Sequence, residues 1–338
     1  MELIIKAYIY LIIVMVILGG FTDSSDAVIA KSIDFKSDLR VRYQTENTDS
    51  SVSRVRNRIR FRLGGASKVS DLTTVSFGLA SGRDDQRSTN QTLENSFKTP
   101  DIRLDYAFVS HDFTDQITGF AGKMKHPLYR PSDMLWDSDI NLDGYALTYQ
   151  SSVYGADGFV TVGYLVLEEL SDDVDDPYLL AIQPGVNLAL NSNTTLTTAF
   201  GYYASQNLAG NTLEGNAGTN TGATTGLDDE FSVIALSSHL NIHNQFGLQL
   251  IKPFFELASN TNQDSNNDAW TVGVKFGDNK VKGFGAWQAK INYRYLQADS
   301  WMDAFPDFDA YGGATNVEGL EFALNYGLSS STRIGVDF

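Results

Sequence analysis

Residues 54–63 alternate strictly. Arg54, Arg56, Arg58, Arg60 and Arg62 hold the even positions, and Val55, Asn57, Ile59, Phe61 and Leu63 the odd ones. A strand sends successive side chains to opposite faces, whereas a helix would scatter five such arginines around its circumference. The period recurs. Leu39, Val41 and Tyr43 alternate with Arg40 and Arg42. Ile102, Leu104, Tyr106 and Phe108 alternate with Arg103 and Asp105. Near the end, Leu320, Phe322, Leu324 and Tyr326 alternate with Glu321, Ala323 and Asn325. The pattern predicts strands near 34–45, 53–65, 72–81, 102–111, 117–125, 142–152, 158–169, 178–190, 194–204, 230–242, 246–258, 268–277, 284–298, 315–327 and 332–338.

The connections between these strands alternate in length. Short ones fall near 112–116, 153–157, 191–193, 243–245 and 328–331, long ones near 82–101, 126–141, 205–229 and 299–314. Outer-membrane barrels have short periplasmic turns and longer outer loops, and a soluble sandwich has no reason for that asymmetry. The expected fold class is all-β, a transmembrane antiparallel β-barrel. Tyr43, Tyr106, Tyr149, Tyr202, Tyr293, Trp270 and Trp287 are candidates for its aromatic girdles. Loop 205–229 is rich in Gly, Asn and Thr, a composition that reads as solvated and mobile.

The N-terminus differs from the rest. Residues 3–18 are apolar except for Lys6, and Val28-Ile29-Ala30 offers a small-residue cleavage site. This predicts a signal peptide over 1–30 and a barrel over 31–338. Composition narrows the chemistry further. There is no Cys, which excludes thiolate metal sites and cysteine nucleophiles. A net charge of −16 argues against nucleic acid as a partner.

Asp38-Leu39-Arg40-Val41-Arg42-Tyr43 and Arg56–Gly64 resemble the opening strands of a porin family of Gram-negative outer membranes. The run from Ser88 to Leu93, Phe97-Lys98, Asp101–Asp105, Gly122–Pro127 and Leu135–Asp139 continue the likeness in the same order over roughly residues 38–150. The resemblance implies a single-chain, porin-like channel of 16 strands. It also implies a third outer loop that folds inward, and it names no solute. Fifteen strands are readable here, whereas bacterial barrels have even numbers. Either a final loop and strand are missing or one hairpin is miscounted; in the first case residues 332–338 should leave an open edge facing the first strand.

Five arginines on one strand face cannot meet lipid, where each costs about 2–4 kcal/mol near the midplane, but a wet lumen accepts them. The expected basic wall comprises Arg40, Arg42, Arg54, Arg56, Arg58, Arg60, Arg62, Arg103, Lys123 and Lys125. Up to residue 125 the chain carries 17 Lys and Arg against 15 Asp and Glu; beyond it the counts are 8 and 26. The acidic excess includes loop 126–141, with Asp133, Asp137 and Asp139 beside Arg130 and Trp136, and this loop is expected to face the wall as a constriction. His239 and His243 lack the helical setting that their spacing would need for metal. The acidic run 171–176 lacks a calcium-loop pattern. No cofactor is expected, and no enzyme motif is present. The expected function is an outer-membrane porin passing small hydrophilic solutes or ions. Its partners would be outer-membrane lipid and, as an open possibility, two further copies in a homo-trimer. The alternatives are a secreted or periplasmic soluble β-sheet binding protein and an outer-membrane β-barrel enzyme.

Overall fold

A computed structural model describes residues 32–47, 52–82, 84–153, 155–171 and 174–338. The expected signal peptide lies outside the described residues, as do Asp172 and Asp173 of the acidic run. Strands β1 (Asp34–Glu46), β2 (Arg54–Lys68), β3 (Thr73–Ser81), β5 (Ile102–Thr114), β6 (Ile117–Met124), β7 (Leu142–Val153), β8 (Ala156–Val166) and β9 (Tyr178–Asn191) pair in that order. They are followed by β10 (Thr194–Gln206), β11 (Ser232–Gln245), β12 (Leu248–Asn260), β13 (Asp268–Gly277), β14 (Trp287–Leu296), β15 (Val317–Gly327) and β16 (Arg333–Asp337). Every ladder is antiparallel between sequence neighbours, with β4 (Gln91–Thr92) a two-residue strand set beside β2 and off this path. The fifteen strands expected from periodicity are therefore the fifteen of the path.

The sheet curls until its ends approach. Among the described residues β1 and β16 share no ladder, yet Arg42 of β1 comes within 3.6 Å of Asp337 of β16. The two faces of each strand differ as the alternation requires. Leu39 and Val41 are 70% and 76% exposed on the outside. Phe255 and Leu257 of β12, Val272 of β13 and Ile291 of β14 join them in an apolar outer belt. Trp270 stacks on Tyr293 and Tyr295 where β13 begins and β14 ends. Trp287 meets Phe276 at the opposite end of the same two strands. These are two aromatic levels at the two ends of the belt, the arrangement that membrane interfaces favour.

The inner face is unusual for the number of small residues it carries. Ala146, Ala181, Ala235, Ala258 and Ala269 are buried there, and bulky loop side chains fill the space they leave. Leu128, Met134, Leu135, Trp136 and Ile140 come from 126–141; Leu208, Leu213 and Leu227 from 207–231; Trp301 and Met302 from 297–316. The expectation that loop 205–229 is solvated is corrected here. Its glycines and threonines surround buried leucine anchors, and Thr219, Asn220 and Thr221 donate to Asp303 and Asp299.

Candidate functional site

Loop 126–141 leaves β6, the fifth strand of the path, and reaches β14, the thirteenth. The side-chain amide of Gln183 on β9 clasps the backbone of Tyr129, accepting from its N–H at 2.6 Å and donating to its C=O at 2.9 Å. Ser132 donates to Glu256 of β12. Asp133 accepts from Arg294 at 2.6 Å and Lys290 at 3.2 Å on β14. In the other direction Asp139 accepts from Arg62 of β2 at 3.3 Å and from Thr89. A segment that touches strands from the second place to the thirteenth runs across the inside of the curved sheet. Trp136 anchors it at the middle, stacked on Phe305 at 5.0 Å and edge-on to Trp301 at 5.2 Å. Trp301 donates its indole N–H to the Leu135 carbonyl.

The charges of the loop divide into two environments. Burial acts against an ionised Asp133, but Lys290 and Arg294 overcome it and hold the carboxyl below its ordinary value. Among the described residues Asp137 has no cation within ion-pair distance; Arg130 reaches its backbone carbonyl, not its carboxyl. Burial, with Asp139 adding repulsion, pushes it up to about 7, although the N–H groups of Asp139 and Phe308 donate to it. Asp307 beside it is raised as well, by burial and by Asp133 and Asp137. Arg130 turns its guanidinium onto the Trp136 and Asp137 carbonyls.

The arginines of β1 and β2 share the inner face but differ in what they do. Arg60 and Arg62 converge on Asp38 at 2.9 and 2.8 Å. Arg42 reaches Asp309, in the last long loop, at 2.7 Å. Arg40 donates to Asn90, and Arg58 to Ser88, the Asn90 carbonyl and Gln44. Arg103 donates to the Asp85 and Ser88 carbonyls, so three cations pin loop 82–101 against the wall. Arg56 pairs with Glu46 where the hairpin ends, and Arg54 beside it is exposed.

A family model described as "Putative porin" matches residues 21–236 and 229–338. The chain belongs to this porin family. Membership places the barrel in the outer membrane. Among solved structures it is similar in fold to in-vitro-folded OmpT, an outer-membrane protein of Vibrio cholerae in trimer form. That likeness has 13% identity, covers 90% of this chain and 88% of that one, and has a TM-score of 0.50. Two mutants of Rh. blastica porin match at 10% and 11% identity over 90% of this chain and 94% of theirs, with TM-scores of 0.46 and 0.47. No curated protein sequence matches.

Two residues of this porin-family barrel depart from the expected placement. Lys123 stands opposite Asp143 and pairs with it at 2.8 Å. Its neighbours Met124 and Leu142 are buried inward, so alternation turns Lys123 outward at the strand's end. Tyr106 is no girdle residue. The ladder shifts register between Gly78 and Leu79, and such a bulge turns the strand's phase. Tyr106 therefore lies over Gly64 and Gly78, with no room for a Cβ at either, and Lys125 sits 4.0 Å above its ring. Lys125 also pairs with Asp105 at 3.5 Å.

Sequence reasoning missed a second basic group. Lys252, Lys275 and Lys290 occupy three successive strands, and register sets each directly opposite the next. The signal existed only as three lone lysines in an acidic half of the chain. Among the described residues no group of His, Asp and Glu has metal-site geometry, and His239 instead meets the Tyr129 hydroxyl at 2.6 Å.

Proposed function

We propose that the chain is a water-filled channel for passive diffusion of small hydrophilic solutes or ions, and not an enzyme. The inner arginine face of β1 and β2, with Arg103 and Lys125, is its basic wall, and loop 126–141 is its constriction. The observation that carries the reading is the crossing of that loop between Arg62 on one side and Lys290 with Arg294 on the other. A narrow passage between fixed charges matters because the Debye length is about 8 Å at physiological salt, so a field from the wall acts only where the lumen is tight. We further propose a homo-trimer in lipid, supported by the trimer form of the similarly folded Vibrio protein.

Planar-bilayer recording of the refolded chain tests the reading. Stepwise conductance is expected. Replacing Arg58, Arg60 and Arg62 by Ser should move the reversal potential in a salt gradient toward cation preference. A folded barrel with no conductance sinks the channel; unchanged ion preference sinks the wall.

A further inference from the structure

Beneath loop 126–141, on the short-turn side, a cavity of about 320 Å³ opens between the loop and strands β12 to β14. Its loop side includes Arg130, Ser132 and Asp133, and its strand side Lys252, Lys275 and Lys290. The volume equals the liquid share of about ten water molecules, so a small solvated ion fits. The lysines stand in a row. Lys252 is opposite Lys275, and Lys275 opposite Lys290. Directly opposed residues on antiparallel strands have Cβ atoms about 5 Å apart, and like charges so placed destabilise the sheet.

Only one end of the row is compensated. Lys290 is matched by Asp133 at 3.2 Å and approaches Glu321 at 3.8 Å. Lys252 and Lys275 have no carboxylate within ion-pair distance among the described residues. Arg130 adds a third positive charge from the loop face; it donates to the Trp136 and Asp137 carbonyls and is partly balanced at longer range by the Asp137, Asp133 and Glu256 carboxylates, so the uncompensated charge is that of Lys252 and Lys275. Phe254, buried two residues along β12 from Lys252, adds an apolar side chain to the lining. Two flexible four-carbon stems, adjacent and uncompensated, can converge on one ligand, whereas a single chloride would leave one ammonium unmatched.

We propose that Lys252 and Lys275, with Arg130 above them, form a binding subsite for a small divalent oxyanion of the phosphate or sulfate type. The anion would sit between the two ammonium groups and accept from both, replacing their mutual repulsion by two charge-assisted hydrogen bonds. The subsite lies away from the Arg62–Asp139 contact and depends on the channel reading only for its route of access.

Equilibrium dialysis of the full refolded chain in detergent, with inorganic phosphate at slightly alkaline pH, tests the subsite without requiring conductance. Saturable binding is expected, competed by sulfate and far less by chloride. The double variant Lys252→Gln with Lys275→Gln should weaken it about tenfold or more, since one charged hydrogen bond is worth about that much. Lys252→Arg with Lys275→Arg should restore it. Lys280→Gln with Lys282→Gln removes the same charge from an exposed turn and should leave binding unchanged. Absence of saturable binding in the native chain, or equal loss in both Gln pairs, overturns the proposal. If dialysis finds the subsite while no current flows in bilayers, the diffusion reading fails and the subsite stands. If current flows and phosphate neither binds nor reduces it, the subsite fails and the channel stands.

Discussion

Replacing Trp136 by Ala should loosen the loop without unfolding the barrel. Trp136 is 3% exposed and lies within 5.0–6.2 Å, ring to ring, of Phe305, His126, Trp301 and Tyr203. Truncating a buried tryptophan costs about 3–5 kcal/mol, and aromatic pairs contribute about 0.5–1.5 kcal/mol each within such a sum. None of this energy resides in the strand ladders. It falls on the docked loop, whose other ties are the smaller buried side chains Leu128, Met134, Leu135 and Ile140 and the polar contacts of Asp133 with Arg294 and Lys290, Ser132 with Glu256, and Asp139 with Arg62. At 1.4 kcal/mol per factor of ten, the undocked population should rise about a hundredfold or more. Single-channel recording should show larger and noisier conductance, while heat-modifiable mobility on gels still reports a folded barrel. Trp270→Ala removes an equally large side chain from the outer belt and should leave the current unchanged. If Trp136→Ala lowers barrel stability with no change in conductance or noise, the loop is not what limits the passage.

Further outcomes follow from other contacts. The raised value of Asp137, from 3.8 to about 7, fixes a sign: the folded loop prefers the protonated carboxyl. Docking support is therefore full below the ordinary carboxylate range and is lost as pH rises through about 7, at about 1.4 kcal/mol per unit of difference. Current noise should grow from acid to neutral pH, and Asp137→Asn should flatten that profile; an unaltered profile in the variant refutes the assignment. Val272→Arg should sharply reduce the heat-modifiable fraction in outer-membrane extracts, because Val272 is exposed midway along β13, where a lipid-facing Arg costs about 2–4 kcal/mol. Arg60→Ala should assemble normally, and equal losses in the two would contradict the facing of the strands.

The architecture was legible because a period of two writes the two faces of a strand directly into the chain. Leu39, Val41 and Tyr43 declare the outside, and Arg40 and Arg42 the inside. The site was less legible because its contacts depend on register and loop path. Asp139 meets Arg62, as the opposed charges suggested, but Asp133 meets β14 instead of the arginine wall. Nothing local to Lys252, Lys275 or Lys290 marks them as a row; only the ladders align them. Tyr106 was misplaced because one bulge inverts the phase on which the reading rests. The leucines of 207–231 were hidden by composition, since Leu208, Leu213 and Leu227, with Ala223 and Phe231, suffice to pack a stretch otherwise rich in Gly, Asn and Thr.

The alanines of the inner wall reverse an intuition about bore. A bulkier residue on a tube's inner surface ordinarily makes the tube narrower. Here Ala146, Ala181, Ala235, Ala258 and Ala269 are seats for side chains that arrive from the loops. Leu at one of these seats would add three carbons where the space is already taken, and overfilling a packed site costs about 1–3 kcal/mol. The strand ladders are the stiffer party, so the loop would yield. Enlarging the wall should therefore widen the passage. Bore is a property of the fit between seat and occupant, and it can drift through either partner while the hydrogen-bonded shell stays as it is.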